Sequence, residues 1–386
     1  NTMKKESFFR VLAGLPSLCL LHFSLVACAP TPAPTPSGGT GTTGGTAKPE
    51  PSPDEKPEEP QPDVPVLPTY AGAYTPVFLG SRDNGGYAPT EGIGADLAAD
   101  RFPLLGRAAA ETVEITASEL RALVRSGSLE NKVYRVSGDG YVIENVSGRT
   151  YSFGGAVILA NFPLTVRAVR DMTLSDLTWV NTAEGGSAIA VSSTEGLVLE
   201  GVEAIGANGF SFHAGCTDLT LSGCRAVATD TAFAAENVTG ATVYASAFGA
   251  GVCAFSASGR DFYVDRCYFS SPAGSVVLAA EDSRLSASTF RGALTAQGAT
   301  NLLLACNRLM AGTGATLRLS CAKNISCVRN TATDARIEDC HSAYFVENTL
   351  AGNLYYARNN YLLANQNTLA AARDLGFNQN LSGDTV

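Results

Sequence analysis

From residue 69 onward the chain is nearly without lysine and histidine: it has only Lys132 and Lys323, His213 and His341. Few side chains are thus on hand to act as a base or bind a metal. No Cys-x-x-Cys pair occurs and no histidine–cysteine spacing suggests zinc, which argues against a zinc module of the usual kind. Basic excess is lacking too. Residues 1–28 carry +2 and residues 29–68 carry −4, so −7 of the net −9 falls on the remainder. That balance excludes the electrostatic footprint of a nucleic-acid binder. Residues 29–68, beginning APTPAPTPSGG, have almost no apolar side chain to repay the entropy of ordering. They are expected to form a tether, extended at ~3 Å per residue where it is proline-rich.

The first 28 residues are different. Met3 is the expected start, followed by Lys4, Lys5 and Arg10 and then an apolar run from Val11 to Ala27. A basic start and a run too short for a stable span form the pattern of an export signal. The run ends in Leu25-Val26-Ala27-Cys28, which resembles a bacterial lipobox. The resemblance implies that Cys28 is diacylated and becomes the first mature residue, so that the membrane is reached through a lipid anchor. Ala29 after the cysteine fits outer-membrane sorting if the host is Gram-negative. The expected organisation is a lipoprotein signal peptide at 1–28, a tether at 29–68 and a lead-in segment at 69–132. A repetitive body at 133–369 and a tail at 370–386 follow.

The body holds an internal repeat. RDMTLSDLTW, EGLVLEGVEA, TDLTLSGCRA, TGATVYASAF, RDFYVDRCYF, EDSRLSASTF, TNLLLACNRL, KNISCVRNTA, HSAYFVENTL and NYLLANQNTL start at 170, 195, 217, 239, 260, 281, 300, 323, 341 and 360. Each reads as a turn residue followed by strand alternation. A second short apolar strand lies between successive segments, for example SAIAV and FSFHA. Four columns emerge on alignment. Asp171, Gly196, Asp218, Gly240, Asp261, Asp282, Asn301 and Asn324 are turn types that tolerate a left-handed backbone. Leu174, Leu199, Leu221, Val243, Val264, Leu285 and Leu304 form one interior stack. Another runs from Trp179 through Ala204, Ala226, Phe248, Phe269 and Phe290 to Leu369. The fourth is Leu177, Val202, Cys224, Ser246, Cys267, Ser288, Asn307, Asn330, Asn348 and Asn367. Its last four members are expected to form an asparagine ladder that satisfies buried amides.

A rung of about 21 residues with asparagine at its turns resembles the pectate-lyase-like superfamily. The resemblance implies an all-β, right-handed parallel β-helix solenoid. Leucine-rich repeats share the period but not the pattern. An open solenoid end needs covering. The segment TASELRALVRSG predicts a short capping helix, with Thr116 and Glu119 as a capping box, Leu120, Leu123 and Val124 on one face and Gly127 as terminator. The exit offers no comparable plug.

Cys224 and Cys267 lie two rungs apart, ~10 Å at the usual strand spacing, and so are beyond disulfide reach. Cys321 and Cys340 are the one plausible disulfide pair in an exported body. The turn aspartates are read as backbone devices, because acids recurring with the rung period need no other reason. What remains on the outward face of the aligned segments is Tyr244, Tyr263, Asp265, Arg266 and Arg284. Aromatic faces beside guanidinium groups suit sugar rings and uronate carboxylates; an ordinary solvated sheet face is the competing reading. The intervening strands offer His213, Glu236, Arg318, Arg336 and Glu338. The expected function is a lipid-anchored envelope protein that binds a polysaccharide or another surface component. The resemblance also implies an enzymatic alternative, a polysaccharide lyase or glycoside hydrolase. Arg266 or Arg284 would then stabilise a carboxylate and His213 or Tyr263 accept a proton; Ca²⁺ enters only in that case, and no other cofactor is expected. No G-H-G or N-T-D signature of the polygalacturonase relatives occurs. A structural spacer or adhesin is the third reading. A Cys28→Ser variant is expected to leave the membrane fraction for the soluble one; unchanged partition in cell fractionation would contradict lipidation.

Overall fold

A computed structural model describes residues 112–271, 274, 276–309 and 316–384. Cys28, the signal, the tether and residues 69–111 of the lead-in segment lie outside these residues.

The backbone winds as a parallel solenoid of about 12 turns, the right-handed parallel β-helix expected from the repeat. Three parallel sheets form its sides. The first begins with Thr112–Thr116 and climbs through Val133–Ser137, Val157–Ala160 and Thr178–Asn181. The second begins with Tyr141–Glu144 and Leu164–Arg167. The third begins with Thr150–Ser152 and Arg170–Ser175. In the middle turns a single strand runs through more than one side, as Arg225–Tyr244 does.

The aligned segments are the third sheet, and their alignment is its register. Arg170 pairs with Glu195, Glu195 with Thr217, Thr217 with Thr239 and Thr239 with Arg260. The same column continues through Glu281, Thr300, Lys323 and His341 to Asn360. It then goes one rung further, to Gln379. Strands Ala371–Asp374 and Gln379–Ser382 thus extend the solenoid beyond residue 369. It also begins before residue 133, at Thr112. The sequence reading merged two sides into one segment: Trp179 and its column belong to the first sheet, around a corner from Leu174.

The corners explain the turn column. Asp171, Asp218, Asp261, Asp282, Asn301 and Asn324 all have φ between 48° and 59°. Asp171 Oδ1 lies 2.7 Å from where a Cβ would stand on Gly196, so a side chain there would clash. Gly240 meets Asp218 Oδ1 in the same way, at 2.8 Å. Inside, Leu174, Leu199, Leu221 and Val243 are fully buried, as are Phe248, Phe269 and Phe290. Phe248 stacks on Phe269 at 5.7 Å and Phe269 on Phe290 at 5.0 Å. At the N-terminal end, helix α1 (Ala117–Ser126) has the capping box of Thr116 and Glu119 and ends at Gly127 with φ 66°. It presses Leu120 and Val124 onto the core.

The asparagine ladder is continuous. The Asn307 N–H donates to Asn330 Oδ1 at 3.1 Å, Asn330 N–H to Asn348 Oδ1 at 2.9 Å and Asn348 N–H to Asn367 Oδ1 at 2.8 Å. Each Nδ2 also reaches a carbonyl of an adjacent rung, Asn330 that of Leu304 at 2.9 Å. Ser288 and Cys267 continue the chain of donors below. A second ladder, absent from the sequence reading, joins Cys340, Asn359 and Asn378. Asn330→Ala strands the amide of Asn307 and the carbonyl of Leu304 in the interior, at about 1–3 kcal/mol per orphaned group. Denaturant unfolding is expected to show a loss of about 3 kcal/mol for Asn330→Ala and under about 0.5 kcal/mol for the half-exposed Asn365→Ala. Equal losses would refute the ladder's role.

Candidate functional site

The third sheet gathers the outward candidates. Tyr244 pairs with Asp265 in register, and Asp265 with Ser286. In the neighbouring outward column Tyr263 pairs with Arg284. Arg266 stands at the corner where the third sheet turns into the first, with φ 53°. That bend brings its guanidinium back over the sheet, 5.7 Å above the Tyr244 ring, and Nη1 donates to Tyr244 Oη at 3.1 Å. Its Nε lies 3.3 Å from Asp265 Oδ2. The other Asp265 oxygen accepts from Ser286 Oγ at 2.7 Å, and Ser286 Oγ in turn accepts from Arg284 Nε at 3.1 Å. All five candidates therefore lie in one patch, four of them tied together through Ser286. Ser286 was missed because serine carries no signal of its own in an outward column.

The network assigns different tasks to its members. Arg266 and Asp265 are turned toward each other and toward Tyr244, so much of their bonding capacity is used within the patch. Arg284 is half-buried and fixed by Ser286, while the Tyr263 ring is 52% exposed beside it. This is a rigid guanidinium next to an open aromatic face. The column of Tyr263 and Arg284 continues through Leu303 and Ser326 to Tyr344, which is 49% exposed. Sequence alignment places Tyr344 in that column but says nothing of its exposure. Four rungs separate Tyr263 from Tyr344, ~19 Å at the usual strand spacing.

His213 is not part of this patch. It is exposed just past strand Glu203–Phe212, in the turn that leads from the second sheet toward the third. Glu236 is likewise exposed. Arg318 and Arg336 are neighbours on the second sheet, where Arg336 Nε lies 2.8 Å from Glu338 Oε1. An open groove of about 310 Å³ lies at the corner between these two sheets, lined by Arg170, Ser193, Thr194 and Glu195 among others. Its Arg170–Glu195 pair closes on itself at 2.7 Å. None of the sequence candidates lines it. Among the described residues no three of His, Cys, Asp and Glu come together as a set that could hold a metal ion.

The cysteines require a correction. No disulfide joins Cys321 to Cys340; Cys321 is exposed and Cys340 buried. Cys321 is a corner residue with φ 49° whose N–H bonds the carbonyl of Glu338, opposite Asp339. Cys340 is one position further along, opposite Ala322, and faces the interior. Counting back from Asn330 and Asn348 misaligned them by one residue, which in a strand exchanges inside for outside. Cys224 and Cys267 are fully buried ladder positions. Cys216 is buried as well, its thiol directed to the carbonyl of Val191 at 3.7 Å. Burial raises the Cys340 thiol to about 12, and it raises Cys267 and Cys327 in the same direction. The folded state thus holds these thiols neutral at pH values where the unfolded chain ionises them. The stability they support is complete below about pH 8.5 and declines as pH rises above it. Native alkylation followed by mass spectrometry at pH 8 is expected to modify Cys321 well before Cys340; a Cys321–Cys340 bridge, or equal labelling, would overturn this assignment.

The fold and the patch together define a parallel β-helix with an aromatic and arginine stripe along one side. No protein-family profile matches the chain, and no curated protein matches it in sequence. Among solved structures it is similar to the periplasmic alginate epimerase AlgG, with 10% identity over 70% of this chain and 83% of that one and a TM-score of 0.39. It is also similar to the Agl-KA catalytic domain, with 10% identity over 74% and 66% and a TM-score of 0.28. A third is bacteriophage CBA120 tailspike protein 3, with 12% identity over 70% and 57% and a TM-score of 0.25. These likenesses carry no residue role over to this chain.

Proposed function

We propose that the third sheet binds an extended acidic glycan lengthwise, and that Cys28 anchors the protein to the membrane from which the tether holds it away. The carrying observation is the pairing of Tyr263 with Arg284 in one outward column. An exposed ring offers a stacking surface for a sugar, and a guanidinium fixed through Ser286 offers a planar fork for a carboxylate one unit away. Tyr244 and Arg266 stiffen the base of this patch, so little side-chain entropy is lost on binding. Tyr344 supplies a second ring further along the same column.

The lyase reading needs a proton acceptor beside the carboxylate-binding arginine. Of the two acceptors considered, Tyr263 stands next to Arg284 and His213 does not. A Tyr263 base acting on a sugar whose carboxylate is held by Arg284 is thus the one form of that reading the geometry favours.

One experiment separates the two. Affinity electrophoresis against alginate, pectate and glycosaminoglycans is expected to show retardation that weakens about tenfold in Tyr263→Ala and in Arg284→Ala, about 1.4 kcal/mol each. Arg336→Ala on the second sheet is expected to bind as the parent does. No retardation by any of these polymers removes the binding proposal. Absorbance of unsaturated product, followed with and without Ca²⁺, decides whether binding leads to β-elimination.

A further inference from the structure

Beyond the rung of Arg284 the third sheet changes character. Its five remaining strands, Thr300–Ala305, Lys323–Val328, His341–Val346, Asn360–Asn365 and Gln379–Ser382, carry no aspartate or glutamate. Their single lysine, Lys323, is exposed, and His341 stands beside it in register on the next rung, exposed as well. The acids of the adjoining corner are engaged elsewhere: Asp339 receives two bonds from Arg358, each of 2.7 Å, and Glu338 holds Arg336 at 2.8 Å. Asn360 Nδ2 lies 3.1 Å from His341 Nδ1, and the Tyr361 ring meets the imidazole edge-on with centroids 5.8 Å apart. Both contacts come from the next rung and fix the histidine. Tyr344, 49% exposed, lies further along the strand that His341 opens.

Tyr361 is the anomaly in this cluster. Its column is the turn column, which from Asp171 to Asn324 holds aspartate, glycine and asparagine. Those types tolerate a left-handed backbone, whereas a bulky side chain there is strained. Tyr361 has φ 64° and still leaves 54% of its surface in solvent, so burial does not offset the strain. Strain kept without burial points to a use for the ring outside the fold.

We propose that Lys323, His341, Tyr344 and Tyr361 form a second subsite for the acidic polymer, and that the protein thereby selects chains long enough to reach it from Tyr263. The inference rests on the glycan reading and extends it. Lys323 takes a carboxylate on a stretch of sheet that has none of its own. With Nδ1 facing the Asn360 amide, His341 has Nε2–H left to donate to a sugar oxygen. Tyr344 and Tyr361 offer ring faces for stacking. Lys323 lies two rung steps beyond Arg284, ~10 Å along the solenoid. Tyr361 lies five beyond Tyr263, ~24 Å. A long chain engages both subsites, and its second contact is then intramolecular. A short oligomer is held by one subsite or the other.

The test is affinity electrophoresis of the full chain in alginate, pectate and heparin gels, with Tyr361→Asn, Lys323→Met and Tyr263→Ala run beside the parent. In a gel that retards the parent, Tyr361→Asn and Lys323→Met are each expected to weaken retardation about fivefold. Free polymer is expected to compete better than oligomers of the same sugar too short to span ~24 Å, and Tyr361→Asn to narrow that difference. Asparagine suits the left-handed position, so the melting temperature of Tyr361→Asn is expected to equal or exceed the parent's. Parental retardation in both Tyr361→Asn and Lys323→Met, with Tyr263→Ala weakened, overturns the second subsite and leaves the first standing. Weakened retardation of Tyr361→Asn together with a lower melting temperature, while Lys323→Met binds as the parent does, assigns the ring to the fold and likewise overturns the inference. No retardation of the parent in any of the three gels removes the glycan reading and this subsite with it.

Discussion

Everything in this molecule depends on rung-to-rung register. Parallel hydrogen bonding stacks each residue on its equivalent in the turn below, so a side chain meets its own column more intimately than its sequence neighbours. Apolar residues tolerate such stacking in any order, which is why leucine, valine and phenylalanine interchange freely inside. Polar residues tolerate it only if donor and acceptor repeat. Asparagine meets that condition because one amide can accept from the rung below and donate to the rung above, so Asn307, Asn330 and Asn348 bury their side chains without orphaned groups, with Asn367 as the last acceptor. Rung length varies because the slack is taken up at corners and never within the sheets.

The corners impose the second constraint. Those that border the third sheet hold left-handed residues, and they place the flanking side chains on chosen faces. Arg266 shows how that constraint becomes chemistry. Its positive φ comes from the corner, and the same bend folds its guanidinium over Tyr244 and against Asp265. The patch around Tyr263 and Arg284 therefore rests on a structural device and not on a loop, so it is rigid for the same reason that the solenoid is. The three sides are then distinguished only by what points outward: a buried, largely apolar column on the first sheet, charges including the Arg336–Glu338 pair on the second, tyrosine and arginine on the third.

Much of this was legible. The ten aligned segments are the true pairing of the third sheet, because strict period-two alternation and a recurring turn residue leave one consistent register. The asparagine ladder and the capping helix were legible for the same kind of reason: amide columns and the Thr116–Glu119 spacing have few alternative explanations. Other features left no trace. A second row of left-handed corners is occupied by Ala245, Arg266, Ala287, Cys306 and Arg329, types that advertise nothing about φ. The short ladder of Cys340, Asn359 and Asn378 spans too few rungs to stand out, and without it Cys340 was paired with a corner residue. The division of each segment into two sides was hidden because a bend leaves alternation intact.

The sequence by itself determined which residues stack, since column identity is a one-dimensional property that periodicity carries in full. It also determined which acids belong to turns. Only the tertiary structure decided how far each outward side chain is exposed and which of the candidates meet. Those depend on the angle at each corner and on what lies across the surface, and neither is written in the spacing of a repeat.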